Sequence, residues 1–391
     1  MDDLPQPSHR ARRALPLIAS ALTAIVVVSL LYLTSGIRSP QSPARSAPIA
    51  VMSGPYLARY DFISPSVGWA LVLDYSSFAT SFRIFRTTDS ASHWQLQYTG
   101  QAEGGQTYIH FFDRDHGFAY AGLLYRTVDA GVHWEQMQTP GYFSMFASPA
   151  LGWSLGAQDH MYSTSDGGVT WKRLPSDLPG SALWRLWPEA WRFLGAVFGG
   201  YGAGPEPASF RDTGEGWLGA GYLDSPTVYL TIDGAVTWRA VAIPPPASAN
   251  KPGYLTTVSV APGGQVVVLI SDETMLLGAY ASDDLGKSWR AVTLPPTLST
   301  FADLSFVDAI HWIALRAGYV YKTADAGARW SSVPVSGLPD DWRYVDAHAI
   351  DGDHAWWSMI ATARSTDSAL AMTSDGGRHW KTVNVPNPGL S

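Results

Sequence analysis

Seven copies of one eight-residue pattern constrain this chain's fold more than any other feature. They are TTDSASHW (87–94), TVDAGVHW (127–134), TSDGGVTW (164–171), TIDGAVTW (231–238), SDDLGKSW (282–289), TADAGARW (323–330) and TSDGGRHW (373–380). The shared form is Ser/Thr-x-Asp-x-Gly-x-x-Trp, with Ala91 and Ala235 standing where the others have glycine. Repeats of this kind mean equal supersecondary units packed on one another, since a single unit cannot bury its apolar face alone. The spacing suits a tight β-hairpin. The Asp carboxylate accepts backbone N–H bonds of its own turn, glycine permits positive φ, and the hydroxyl closes the other side. The Trp then falls on the returning strand and covers the hairpin with an apolar face. The residues entering each box read as strand, as in FRIFRT (82–87) and GYVYKT (318–323).

A second element recurs upstream of the boxes. It reads GWALVL (68–73), GFAY (117–120), GWSL (152–155), GWLG (216–219), HWIAL (311–315) and AWWSM (355–359). The fifth repeat has QVVVLI (265–270) there, without the aromatic. These segments predict buried central strands.

Together the two elements resemble the Asp-box, or BNR-repeat, β-propeller superfamily. The wording TSDGGVTW and TSDGGRHW, with the glycine-aromatic strand starts, is most like the photosystem II stability/assembly factor type. The resemblance covers residues 51–391, about 49 residues per repeat, which suits a four-stranded blade. It implies an all-β chain: a seven-bladed β-propeller of four-stranded antiparallel blades, closed so that no long sheet edge stays exposed. The chain contains no Trp-Asp dipeptide, which sets it apart from WD-repeat propellers. The resemblance also implies that the box residues are structural. These are Asp89, Trp94, Asp129, Trp134, Asp166, Trp171, Asp233, Trp238, Asp284, Trp289, Asp325, Trp330, Asp375 and Trp380. Assembly-factor relatives are non-enzymatic, exported and often membrane-associated, whereas sialidases and xyloglucanases share the box. No catalytic residue, metal or cofactor is expected.

Three catalytic look-alikes are weighed against the repeat. Phe82 to Phe85 resembles the sialidase Phe/Tyr-Arg-Ile-Pro signature, but it lacks the proline and runs straight into the first box. Gly152-Trp-Ser154-Leu-Gly156 matches a nucleophile elbow, yet it aligns with the other glycine-Trp strand starts. Asp351 to His354 could suggest a metal loop, but it lacks the further ligands of a calcium loop and falls at a repeat turn.

Residues 14–35 form the expected anchor or signal. Ala14 to Leu33 carries no charge, and a helix of that length spans the roughly 30 Å hydrocarbon core. Arg10, Arg12 and Arg13 precede it, so residues 1–13 read as a cytoplasmic tail. Residues 36–50, rich in Pro, Ser and Ala, read as a linker. The expected location is a cytoplasmic membrane, crossed once, with the propeller outside; secretion after signal cleavage is the alternative. Net charge is −7 with no basic excess, so nucleic acid is not an expected partner. The chain has no cysteine, which excludes disulfides and thiol chemistry.

Box spacing, Asp to Asp, is 40, 37, 67, 51, 41 and 50 residues. The long interval holds an insertion at about 176–212. Within it Trp184, Trp187 and Trp191 share one helical face, interleaved with Arg185 and Arg192. Insertions in repeat folds often mark a binding face, and Trp and Arg favour interface hot spots. The expected function is a non-catalytic membrane-anchored scaffold for a protein partner, in assembly or stability of a membrane complex. The alternative is a glycoside hydrolase of sialidase or xyloglucanase likeness, and carbohydrate is a less favoured ligand.

Overall fold

The computed structural model describes residues 50–391, apart from 75–80, 104–106, 142, 157–159, 178, 180–207, 212–213, 222, 247–252, 273–275, 296–303, 317–318, 340, 364–365 and 390–391. The tail, the anchor and nearly all of the linker lie outside the described residues. Among the described residues no helix is long and apolar enough to cross a membrane.

Each repeat folds as an antiparallel meander of four strands in sequence order. Blade 1 consists of Tyr56–Phe62, Gly68–Asp74, Ser81–Thr87 and Gln95–Gln101. Blades 2 to 7 span 107–137, 143–177, 208–242, 255–292, 304–334 and 342–383. First strands touch across blades 1 and 2, 4 and 5, and 6 and 7, so they line the axis of a seven-bladed propeller. The glycine-aromatic segments are the second strands, and Gly68–Asp74, Gly117–Ala121, Gly152–Leu155 and Gly216–Gly219 are almost wholly buried, as expected of central strands.

The glycine that opens these strands has a steric cause. Phe62, Phe111, Phe146 and Phe210 end the first strands directly opposite Gly68, Gly117, Gly152 and Gly216. A Cβ on Gly216 would lie about 2.2 Å from the Phe210 ring, and the other three are nearly as tight. Each phenylalanine is then held from two sides. In blades 2 to 4 the preceding blade's second strand stacks on it: Trp69 on Phe111 at 3.5 Å, Phe118 on Phe146 at 3.7 Å, and Trp153 on Phe210 at 3.6 Å, all within 14° of parallel. On Phe62 the ring of Trp356 is tilted by 47° at 6.2 Å. Its own blade's box Trp meets it edge-on at 5.9–6.1 Å in blades 1 to 4. Interdigitated aromatics of this kind add about 0.5–1.5 kcal/mol per pair beyond area burial. Blade 5 solves the same register with Val260 opposite Val266.

We therefore expect Gly216→Ala to cost about 2 kcal/mol, because the Phe210 ring has no free direction in which to yield. Adding Phe210→Val, the residue that blade 5 has at this position of its first strand, should recover part of that loss in urea unfolding. A single variant as stable as the parent would contradict this packing account.

The ring closes with both ends of the described chain. The last blade carries a fifth, short strand beyond the four expected: Met52–Ser53 pairs with Ser368 and Asp367 at one end of its third strand. Trp380–Val383 pairs with the other end of the same strand. Past that strand, the Asn384 side chain donates to the Ser92 carbonyl at 2.6 Å, and Trp94 Nε1 donates to the Asn384 carbonyl at 2.8 Å. Blade 7 is thus clasped to the box of blade 1.

Candidate functional site

All seven boxes form the same knot of hydrogen bonds. The Ser/Thr hydroxyl donates to Asp Oδ1 at 2.8–3.0 Å and accepts the N–H four residues on at 2.9–3.1 Å. Oδ1 also accepts the N–H of the residue before the Trp, at 2.8–3.0 Å. That residue's side chain occupies Oδ2. It is Nδ1 of His93, His133 and His379, the hydroxyl of Thr170, Thr237 and Ser288, and Nε of Arg329. The position before the Trp is therefore a donor in every copy. The sequence carried that signal, and the eight-residue consensus passed over it.

Two other details of the box differ from expectation. Positive φ falls on both the fourth and the fifth residue, not on the fifth alone: Gly376 and Gly377 show it in blade 7, and Ser90 and Ala91 in blade 1. The box Trp precedes the fourth strand in six blades and opens it only in blade 7, at Trp380. In blades 1 to 4 its ring meets the phenylalanine that ends the first strand. It also lies against its own turn, where Trp171 and Trp380 donate to the carbonyls of Gly168 and Gly377.

The knot consumes the carboxylates. Asp89, Asp166 and Asp284 are drawn down to about 2 by the side chains of His93, Thr170 and Ser288 and then by the same residues' N–H groups. Asp325 is drawn equally low by the N–H of Arg329 and then its guanidinium. These groups stay ionised at neutral pH and are poor proton donors.

The turns between first and second strands lie beside the boxes. In Asp113, Asp308 and Asp351 one carboxylate oxygen accepts two N–H groups of its own turn, and Ser148 does the same through its hydroxyl. The N–H of the fourth box residue then donates into the adjacent turn, as from Ala130 to Asp115 and from Gly376 to Asp353. The Asp351 to His354 segment is one of these turns. Among the described residues no group of three or more His, Asp or Glu is placed to hold a metal. Boxes and turns thus share one face of the ring. Basic side chains bridge it from blade to blade: Arg126 donates to the carbonyls of Asp166 and Gly167, and Lys322 to that of Gly352.

The axis is lined by polar latches. Asp61 Oδ2 accepts the Phe111 N–H at 2.6 Å, and His110 Nδ1 stands 3.5 Å from the same oxygen. At the equivalent positions Ser209 and Ser305 accept the N–H of Val260 and Ala349 from the next blade. The buried Arg59 donates from Nε to the Thr107 carbonyl. The first strands carry no glutamate. Arg83 lies on a third strand, away from the axis, 3.7 Å from Asp74. Ser154 is wholly buried in a second strand, against the Ser144 hydroxyl at 3.0 Å, and has no strand-to-helix turn.

The fourth strand of blade 3 ends at Asp177 and the first strand of blade 4 begins at Ala208, so the long connection leaves and re-enters at the face opposite the boxes. Trp184, Arg185, Trp187, Trp191 and Arg192 lie outside the described residues.

Solved structures share this architecture at low identity. YCF48 from Cyanidioschyzon merolae superposes with a TM-score of 0.52 at 14% identity, over 83% of this chain and 98% of that one. A PL25 ulvan lyase, in a complex with its glucuronate–sulfated rhamnose ligand, gives 0.51 at 10% identity, over 87% and 98%. A YCF48 bound to a D1 peptide gives 0.49 at 14% identity, over 84% and 99%. The chain has the fold of the Asp-box β-propellers. No protein-family model and no curated protein sequence matches it. Because a lyase and YCF48 share the propeller, the fold alone does not choose between catalysis and binding.

Proposed function

We propose that this propeller is a non-catalytic scaffold, held on the outer side of a cytoplasmic membrane by residues 14–35, which binds a protein partner during assembly or upkeep of a membrane complex. One observation carries the reading: the recurrent carboxylates, the chain's most conspicuous acids, are all spent on holding their own turns. The axial carboxylate Asp61 is likewise occupied by a backbone N–H. A glycosidase of the usual kind needs two carboxyl groups facing across a cleft at about 5–9.5 Å. The first strands carry two carboxylates, Asp61 and Asp346, and Asp61 is already taken by the Phe111 N–H. Partner binding falls to the face opposite the boxes, where the Trp- and Arg-rich connection with Trp184, Arg185, Trp187, Trp191 and Arg192 departs.

The test compares the intact tagged chain from solubilised native membranes with a version lacking residues 181–207. Mass spectrometry should find a stoichiometric membrane protein with the first and not with the second, while both melt at similar temperatures. Absence of a partner from both preparations, together with turnover of any glycoside in a substrate panel, would replace the scaffold reading with the glycosidase one.

A further inference from the structure

We propose that the box face of blades 6, 7, 1 and 2 is a proton-gated docking surface for an anionic bilayer. The face is not uniform around the ring. Six histidines lie on it, each with Nδ1 against an aspartate: His93, His133 and His379 in boxes, and His116, His311 and His354 in turns. All six fall in four consecutive blades, because the clasp at Asn384 puts blade 7 beside blade 1. The boxes of blades 3, 4 and 5 use Thr170, Thr237 and Ser288 instead, and their turns hold no histidine.

The boxes of this arc, the residue before each box and the turns beside them carry the following fixed charges. Blade 6 contributes Asp308, Asp325, Lys322 and Arg329, and blade 7 contributes Asp351, Asp353, Asp375 and Arg378. Blade 1 contributes Asp89 and Arg86, and blade 2 contributes Asp113, Asp115, Asp129, Arg114 and Arg126. Glu135 and Lys381, which follow the boxes of blades 2 and 7, cancel. Nine carboxylates against six fixed cations leave −3 when the imidazoles are neutral, and six imidazolium ions turn this into +3. Imidazole is the side chain whose ordinary titration falls between pH 5 and 8. Seven of the nine carboxylates accept donors of their own turns, and carboxylates ordinarily stay ionised across that range, so the change of sign comes from the imidazoles. The rings of His93, His133 and His379 are 88%, 86% and 78% exposed, so their charge is presented to solvent.

Apolar side chains stand among these charges. Val128 and Val132 of blade 2 are 52% and 59% exposed, and Ile310 of blade 6 is 47% exposed. Switchable cations mixed with protruding aliphatic residues suit an anionic headgroup layer, which attracts nearby cations and admits short apolar side chains. The described ring is also preceded by 49 residues that contain the uncharged run Ala14 to Leu33, which keeps a bilayer within reach. The inference rests on the anchored reading for that proximity only.

The chain has no cysteine, so Val132→Cys gives a single attachment point for an environment-sensitive dye. Ile232→Cys, 69% exposed at the parent residue and in the histidine-free part of the same face, is the control. The full-length labelled chain is placed in nanodiscs of phosphatidylcholine with or without about 30% phosphatidylserine, at about pH 7.5 and about pH 5.5. We expect the dye at 132 to shift to the blue only with phosphatidylserine at the lower pH, with about tenfold greater occupancy of the bound state than at the higher pH. The dye at 232 should not respond. Replacing His93, His133 and His379 by Gln keeps a donor for each aspartate and should abolish the response without changing the melting temperature. A pH-independent shift, an equal shift on phosphatidylcholine, or a response that survives the Gln substitutions overturns the proposal. Failure of the chain to co-elute with nanodiscs refutes the anchor instead; the same dye must then respond identically to added vesicles, or docking fails as well.

Discussion

Trp69→Ala should lower the unfolding free energy by about 4 kcal/mol, the range expected when a large buried aromatic is truncated to leave a cavity. Trp69 is completely buried, lies flat on Phe111 at 3.5 Å, and donates its indole N–H to the Ala130 carbonyl of the next blade at 3.2 Å. Its loss therefore loosens a blade-to-blade contact as well as a core. The box residue Trp330 is a matched comparison, since it is half-buried and donates to the Thr293 carbonyl at the surface. Trp330→Ala should cost much less. Urea unfolding of both variants measures the difference. A cost for Trp69→Ala below about 2 kcal/mol would mean that the ring relaxes around the gap, contrary to the tight inter-blade stacking described above.

Acid should unfold the propeller in one steep transition between about pH 4 and pH 2. Asp89, Asp166, Asp284 and Asp325 titrate at about 2 in the folded chain, and Asp375 is held lower still by the N–H and then the ring of His379. In the unfolded chain the same carboxyls return to about 3.9. Unfolding therefore takes up protons throughout that interval. The stabilisation is complete above the unfolded value and is lost as pH falls through the folded one. Because the same knot recurs in every blade, the proton uptake sums and the transition sharpens. Tryptophan fluorescence followed from pH 6 downward would show it, those starting and end points being set by about two units either side of the carboxyl range. Unfolding already complete at about pH 5 would mean that other groups govern acid stability.

Blade number and the identity of each central strand were legible because both repeated elements place polar and aromatic groups at fixed offsets. Less legible was why the second element begins with glycine. The answer lies six residues upstream, where Phe62, Phe111, Phe146 and Phe210 stand at one constant interval from Gly68, Gly117, Gly152 and Gly216. The interval is visible in the sequence, but its meaning depends on a ring from the preceding blade, which no local pattern contains. The clasp from Asn384 to Ser92 and Trp94 is hidden for the same reason, since its partners are about 290 residues apart. Of the functional surface, the acids were read as structural from the family resemblance that their spacing carries. The grouping of six histidines on four adjacent blades became visible only when ring closure made the first and last repeats neighbours.

That closure also governs how the ring bears load. A pull on the chain ahead of Met52 acts first on a strand of only two residues, paired with Ser368 and Asp367. Those pairings are the mechanical weak link, because the next segment, Tyr56–Phe62, is secured by seven pairings to its neighbour. Peeling the weak link away leaves the second fastener untouched, because Asn384 reaches blade 1 from the opposite end of the polypeptide. A tether attached at the N-terminus can therefore slip by a few residues under tension, like a fuse, while the seven blades remain locked in a circle.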